Sequence, residues 1–361
     1  MESYKIGLVP GPVSVPEEVR GAWLNDYGSS DLEAEFFTLY HKNQTLIQEL
    51  LHTHNRIIIT SGEAMSILWG SLKCTLRAGE KILAVSSGMF GEGFAEMARS
   101  FGAVAEVCGF PYDEVPDPER VREHARAFRP KVLTAVHCET PSGTLTPCLA
   151  ELGRVAREVG ALFVVDFVAS AGGAALDVDG CGIDIGLLGS QKVLSMTPSL
   201  SISSISPRAW GVIEDVNYSG YESYIGWREV PEAHYMPYTH DWHSMKALNI
   251  SLNAIFSEGA ANVLARHERA AKLCRDMGRS MGLTLYPKDE AWCSPTVTAF
   301  CVPDGWSWGE LDGALRAEGV AFGGNYGELA GRVFRVGHMG SQADCELVEH
   351  GMSFLAKILR G

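Results

Sequence analysis

The chain has 361 residues, 46% of them hydrophobic and 20% charged, an ordinary globular composition with length enough for a large core and two domains. Its formal net charge of −14 argues against nucleic acid or an anionic membrane surface as partner. An anionic small molecule in a locally positive cleft stays possible. Nine irregularly spaced cysteines without a Cys-x-x-Cys pair argue against a disulfide framework or a zinc site and fit a cytoplasmic, reducing location. Met1–Leu8 has no apolar core of signal-peptide length, and no uncharged apolar run reaches about 18 residues.

In chain order, Leu8-Val9-Pro10-Gly11-Pro12-Val13 comes first. Two prolines around a glycine forbid helix and predict an extended arm over residues 1–15. Residues 16–54 read as helical, with apolar positions such as Phe36, Leu39, Leu46 and Leu50 at mixed spacings of three and four. The β-branched run Arg56–Thr60 predicts a buried strand. Strands and helices then alternate: strand Lys81–Ser86, helix Glu92–Phe101, strand Val132–Val136, helix Leu149–Val159 and strand Leu162–Asp166. Apolar strands without polar alternation, separated by helices, indicate an α/β fold with a mostly parallel sheet covered on both faces. Residues 207–245 read as irregular and aromatic-rich, a composition suited to an interface. One long helix is expected from Ser244 to Met281. Strands at Thr296–Val302 and Val333–Val336 flank a helix near Ser307–Glu318. The expected organisation is an arm (1–15), a large domain (16–250) and a smaller α+β C-terminal domain (251–361).

Gly189-Ser190-Gln191-Lys192 lies between two apolar runs, Ile183–Leu188 and Leu200–Ile205. Lysine is rarely buried unless paired or put to use. Burial lowers an amine's pKa, and a neutral amine is a nucleophile toward aldehydes. The plainer alternative is a strand-end lysine snorkelling into water. Ser61-Gly62-Glu63 follows a strand and opens a helical stretch, which makes either an anion site at a helix N-terminus or a simple cap. Glu63 is odd beside a phosphate and must be paired or turned away. Asp166 ends its strand where open α/β sheets bind ligands. It is either the partner of a pyridinium nitrogen or a cap. His137, in His137-Cys138-Glu139-Thr140-Pro141-Ser142-Gly143, is a candidate base or a packed histidine. Arg335, in Arg335-Val336-Gly337-His338-Met339-Gly340, can fork onto a carboxylate or sit in a surface ion pair.

Together these stretches resemble, in matching order from Pro10 to Gly340, the class V aminotransferases of the fold-type I pyridoxal-phosphate superfamily. The likeness is strongest to the alanine–glyoxylate, serine–pyruvate and pyridoxamine–pyruvate branches. The resemblance implies a large domain with a mostly parallel seven-stranded sheet, pyridoxal 5′-phosphate as cofactor, and ping-pong transfer from a small amino donor to glyoxylate or pyruvate. It implies Lys192 as the Schiff-base lysine and proton shuttle and Asp166 on the pyridine nitrogen. Val168 and Phe90 would pack on the ring, with Ser61, Gly62, Glu63, Thr140 and Gln191 around the cofactor. Thr239 would reach the phosphate of a partner subunit, so a homodimer is implied. Arg335 would bind the substrate carboxylate, Gly11 would line the entrance, and Tyr326 would stand near the substrate. Departures from the family pattern fall at Pro141, at Met236, and at Tyr326, where the pyridoxamine–pyruvate type carries a second arginine. A transaminase of pyridoxamine or 2-aminoethylphosphonate, or a lyase of the cysteine desulfurase kind, is the alternative. Gln191 stands where such a lyase usually has histidine.

Overall fold

The computed structural model describes residues 4–360. Seven strands form the main sheet: β1 (Arg56–Ser61), β2 (Lys81–Ser86), β3 (Val104–Gly109), β4 (Val132–Val136), β5 (Leu162–Asp166), β6 (Ile185–Gly189) and β7 (Leu200–Ile205). Their spatial order is β1-β7-β6-β5-β4-β2-β3. All neighbouring pairs are parallel except those of β7, which runs antiparallel to both β6 and β1. Strands β4, β5, β6 and β7 are buried along their whole length, as expected where helices cover both faces of a sheet.

Register decides which chain segments meet. Val136 pairs with Asp166, and Asp166 with Leu187. The carboxyl ends of β4, β5 and β6 therefore lie side by side. Across β7, Leu200 pairs with Ser61 while Ser201 pairs with Gly189, which brings the end of β1 to the same edge. Ligands of open α/β sheets bind at this edge.

Strands β2, β4 and β5 and the Leu149–Val159 helix match the predicted bounds. Other segments differ. The stretch 16–54 holds a short helical segment, Glu17–Arg20, and then the long helix α1 (Ala34–Leu51). Strand β3 went unpredicted because it is an edge strand with alternating exposure. Residues 207–245 are partly helical, since Ser206 caps Pro207–Val216 by accepting from Ala209 N with proline in the first turn. The predicted long helix is two, α2 (Trp242–Glu258) and α3 (Ala260–Ser280). They part at Gly259, whose φ of +89° suits glycine. Residue 250 thus lies inside α2, whose buried residues Leu248 and Leu252 belong to the first of two large apolar clusters.

The second cluster gathers Leu8, Phe300, Phe322, Phe334 and Met352 around the antiparallel pair β8 (Val297–Cys301) and β9 (Val333–Gly337). The N-terminal arm belongs to this cluster. Ile6–Gly7 pairs with Val320–Ala321, Gly337 N donates to Leu8 O at 2.7 Å, and Gln342 Nε2 donates to Val9 O at 2.7 Å. Val13 N then donates to Gln191 O at 3.1 Å, so the arm crosses from the second cluster to the segment that carries Lys192. A Cβ on Gly337 would collide with the backbone of Val9 and Pro10. Gly337→Ala is therefore expected to cost about 1–3 kcal/mol of stability and to speed amide exchange selectively in residues 6–13. Calorimetry with peptide-resolved hydrogen exchange checks both, and unchanged arm protection would refute the docking role of Gly337.

Candidate active site

A cavity of about 310 Å³ opens at the shared strand edge, lined by Lys192, Asp166, Phe90, Glu63 and Thr140 among others. Gly11, Val168 and Gln191 complete the predicted residues in its wall. Lys192 enters on the turn after β6. Its amine donates to Pro10 O, and Gly11 (φ +90°) lies so close that a Cβ there would come within 2.5–2.9 Å of the Lys192 side chain. Only glycine allows this approach. Burial pulls the Lys192 pKa down to about 8, the nearby Arg335 guanidinium adds to the fall, and Cys138, Asp166 and Glu63 oppose it. A lysine near that value supplies free amine close to neutral pH.

Asp166 is the last residue of β5. One of its carboxylate oxygens accepts from Val168 N at 2.8 Å. Burial raises its pKa to about 6, while the Val168 amide and the Lys192 charge hold it from rising further. It is therefore mainly anionic at pH 7.

Arg335 projects from β9, 5% exposed. Its Nε and Nη2 donate to Gly324 O at 2.9 and 2.5 Å, which fixes the guanidinium plane. The Tyr326 ring lies over it at 5.2 Å and is otherwise exposed. Asn325 Nδ2 donates to Pro141 O at 2.6 Å, tying this loop to the turn that carries Thr140. Arg335 and Tyr326 lie outside the cavity lining, although the Arg335 charge acts on Lys192.

Ser61 and Thr239 are not in that lining. They face a separate small crevice with Tyr221 and Tyr238, and Ser61 Oγ accepts from Asp241 N at 3.3 Å. Gly62 takes φ +134° and donates its N–H to Ser199 O at 2.8 Å. Met236 is buried in the first apolar cluster. His137 is a packed histidine. Its Nδ1 lies 2.9 Å from Ser170 Oγ, burial pushes its pKa down to about 4, and it lines a different groove.

Glu139 does not line the cavity but accepts from the backbone of its wall residue Phe90, and spacing along the chain does not reveal it. It is 1% exposed, and its carboxyl accepts from Gly91 N at 2.7 Å and Phe90 N at 3.3 Å. Those partners lie 48 and 49 residues away, so no local pattern marks it. Burial pushes its pKa up to about 8, with the Asp166 and Glu92 charges adding to the rise against the two amides.

The chemistry of these side chains fits the ring end of a pyridoxal group. A carboxylate stands ready for a ring nitrogen, apolar and aromatic surface flanks it, and a low-pKa amine is at hand for the aldehyde. At the other end, the 65–75 helix begins with Met65 N donating to the Glu63 carboxylate at 3.1 Å, and Gln191 Nε2 donates to the same carboxylate at 3.3 Å. A negative group of the chain itself thus occupies the place where a helix N-terminus attracts an anion.

The family model described as aminotransferase class-V matches residues 19–330, and the chain belongs to that family. Curated relatives include a pyridoxamine–pyruvate transaminase of Mesorhizobium japonicum, 31% identical over 94% of this chain and 87% of that protein. An L-aspartate–glyoxylate aminotransferase of Paracoccus denitrificans is 30% identical over 95% of this chain and 88% of that protein. Among solved structures, an alanine–glyoxylate aminotransferase from Nostoc sp. superposes with a TM-score of 0.95 at 29% identity, covering 99% of this chain and 96% of that one. The fold is that of the fold-type I pyridoxal-phosphate-dependent aminotransferases, and the protein is an enzyme of that class.

The lowered Lys192 pKa has a direct consequence. The rate at which cofactor-free protein captures pyridoxal 5′-phosphate is expected to rise with pH and level off above about 8, because the free amine is the reacting form. Stopped-flow absorbance across pH 6–10.5 checks this (a range set to span shifted and ordinary lysine pKa values of roughly 8 and 10.4). A rate still climbing at the ordinary lysine pKa would refute it.

Proposed function

We propose that the protein is a pyridoxal 5′-phosphate-dependent aminotransferase that moves an amino group from a small donor of the alanine or serine type to glyoxylate or pyruvate. The observation that carries this reading is the cavity in which the Lys192 amine is exposed at once to the Asp166 carboxylate and to the charge of Arg335. Two further readings go with it. The first is a homodimer, supported by the exposed Thr239 beside Tyr221 and Tyr238, themselves exposed with rings 4.5 Å apart, since exposed apolar patches mark interaction sites. The second is a cytoplasmic location, supported by nine free thiols.

When bound, the cofactor supplies an aldehyde carbon and a ring that takes up the electron pair left at the substrate carbon. The chain's own residues do the rest. Lys192, in the free-amine form that burial favours, accepts the proton from the substrate α-carbon and returns it to the carbon that came from the cofactor's aldehyde, across the bridging nitrogen. Its reach is set by Gly11, and the Pro10 carbonyl gives it a resting partner. Asp166, anionic at neutral pH, holds a proton at the ring-nitrogen position. Arg335, fixed on the Gly324 carbonyl, orients the substrate carboxylate under the Tyr326 ring. A single arginine suits a substrate with one carboxylate. Met65, Leu68 and Pro12 in the cavity wall help to exclude water.

Glu63 favours a second reading, in which the amino donor is pyridoxamine itself, with pyruvate as acceptor. A carboxylate at the 65–75 helix start repels a phosphate dianion but accepts a hydrogen bond from an uncharged hydroxymethyl group. The relative named a pyridoxamine–pyruvate transaminase supports it, while Tyr326 in place of that type's second arginine weighs against it.

Half-reactions separate the two. On the first reading, the protein retains pyridoxal 5′-phosphate through gel filtration, and L-alanine or L-serine bleaches its visible band until glyoxylate or pyruvate restores it. Turnover of pyridoxamine with pyruvate, without retained phosphorylated cofactor, would replace the first reading by the second. Lys192→Ala is expected to lower turnover at least about 10²–10⁴-fold on either, and full activity in that variant would end both. Arg335→Lys is expected to raise KM for the oxo acid about tenfold with a smaller change in kcat, since lysine cannot reproduce a bidentate fork. Steady-state kinetics checks it, and an unchanged KM would remove Arg335 from the substrate.

A further inference from the structure

Phe90 sits in the first turn of the helix Met89–Ser100, at the cavity wall. That helix has no side-chain cap of its own, because the N-cap residue is Gly88. Its first amides are instead taken by Glu139, from a hairpin in another part of the chain. Gly91 N donates to Glu139 Oε1 at 2.7 Å, and Phe90 N to Oε2 at 3.3 Å. A Cβ on Gly88 would collide with the Glu139 carboxyl, so the glycine makes room for this long-range cap.

Glu139 itself is held rigidly. It pairs with Thr144 in a two-stranded hairpin, and its carbonyl accepts from Gly143 N at 2.9 Å. Two residues earlier, His137 N donates to Asp166 O at 2.8 Å. A short path thus runs from the Asp166 backbone through the buried hairpin and the Glu139 carboxyl to the backbone of Phe90. Asp166 and Phe90 belong to separate elements of the fold, and this path sets one against the other.

We infer that Glu139 is a positioning residue. Its carboxyl fixes the start of the 89–100 helix so that the Phe90 side chain meets the ring of a bound pyridoxal group while Asp166 meets the ring nitrogen. The inference rests on the reading of Phe90 as a ring contact. Glu139 touches neither cofactor nor substrate in this role and acts only through Phe90.

A double-mutant cycle tests it. The affinity of cofactor-free protein for pyridoxal 5′-phosphate is measured by absorbance titration, together with the visible circular dichroism of the bound cofactor, in wild type, Phe90→Leu, Glu139→Ala and the double variant. Each single variant is expected to weaken binding about tenfold, as loss of an aromatic contact does, and to diminish the dichroic band. The double variant is expected to bind no more weakly than Phe90→Leu alone, because one contact is lost twice. Glu139→Gln keeps an acceptor for Gly91 N and is expected to recover most of the affinity and the band. Multiplying losses in the double variant, or wild-type affinity and dichroism in Glu139→Ala, would overturn the role of Glu139. Wild-type affinity in Phe90→Leu would overturn the ring contact as well. If Glu139→Ala fails to fold, the cycle is run with Glu139→Gln, whose loss of about threefold (one weaker hydrogen bond) must vanish in the Phe90→Leu background, and a persisting loss overturns the inference.

Discussion

An amine must be kept neutral yet reachable, and much of the site follows from that demand on Lys192. Water would protonate it, so it sits at the floor of a cavity formed where parallel strands end. Complete apolar burial would leave it unable to exchange protons, so carboxylates and a thiol stand near it and offset part of the desolvation. Arg335 pushes the other way. Burial first and the guanidinium second, set against Cys138, Asp166 and Glu63, leave the amine pKa at about 8. On the proposed reading the same neighbours would serve as ring partner and substrate clamp, so electrostatics and recognition would use one set of side chains.

The sheet makes this economical. With β4, β5 and β6 in parallel register, residues that lie tens of positions apart in sequence emerge together. Only the turns after the strands need vary to change the chemistry, which is how one fold hosts many activities. On the proposed reading, substrate choice would rest on loop 323–327, which carries Tyr326 and holds Arg335, and on the Glu63 end of the cavity.

Much of this was legible from residue order. Strands such as Leu162–Asp166 are apolar throughout, because both faces are covered, and they stand out against their surroundings. Asp166 and Lys192 stood out as charged residues at the ends of such runs, but the runs alone left a cap and a snorkelling lysine open, and only the order of all the motifs together pointed to a shared site. Strand Val104–Gly109 was not, since its outer position lets Glu106 and Val104 face solvent and breaks the apolar run. The break at Gly259 was hidden by apolar spacing that continues on either side, and the 207–216 helix by a proline that reads equally as breaker and as first-turn residue. In the site, Glu139 and the Pro10 carbonyl were out of reach for one shared reason. Their partners are backbone or side-chain atoms brought close only by the completed fold, and a hydrogen bond across 48 or 182 residues leaves no trace in local spacing.

The arm has a bearing on when activity can first arise during synthesis. Leu8 takes its place among Phe300, Phe322 and Phe334, and Ser14 N meets a side chain 328 positions later. Residues 6–14 are thus among the last to find their place, because the segments they dock on are synthesised long after them. Until then Gly11 and the Pro10 carbonyl cannot settle over Lys192. A chain lacking the later segments would leave the wall beside Lys192 unfinished, so the arm closes this pocket only after the segments around residues 320–342 have folded.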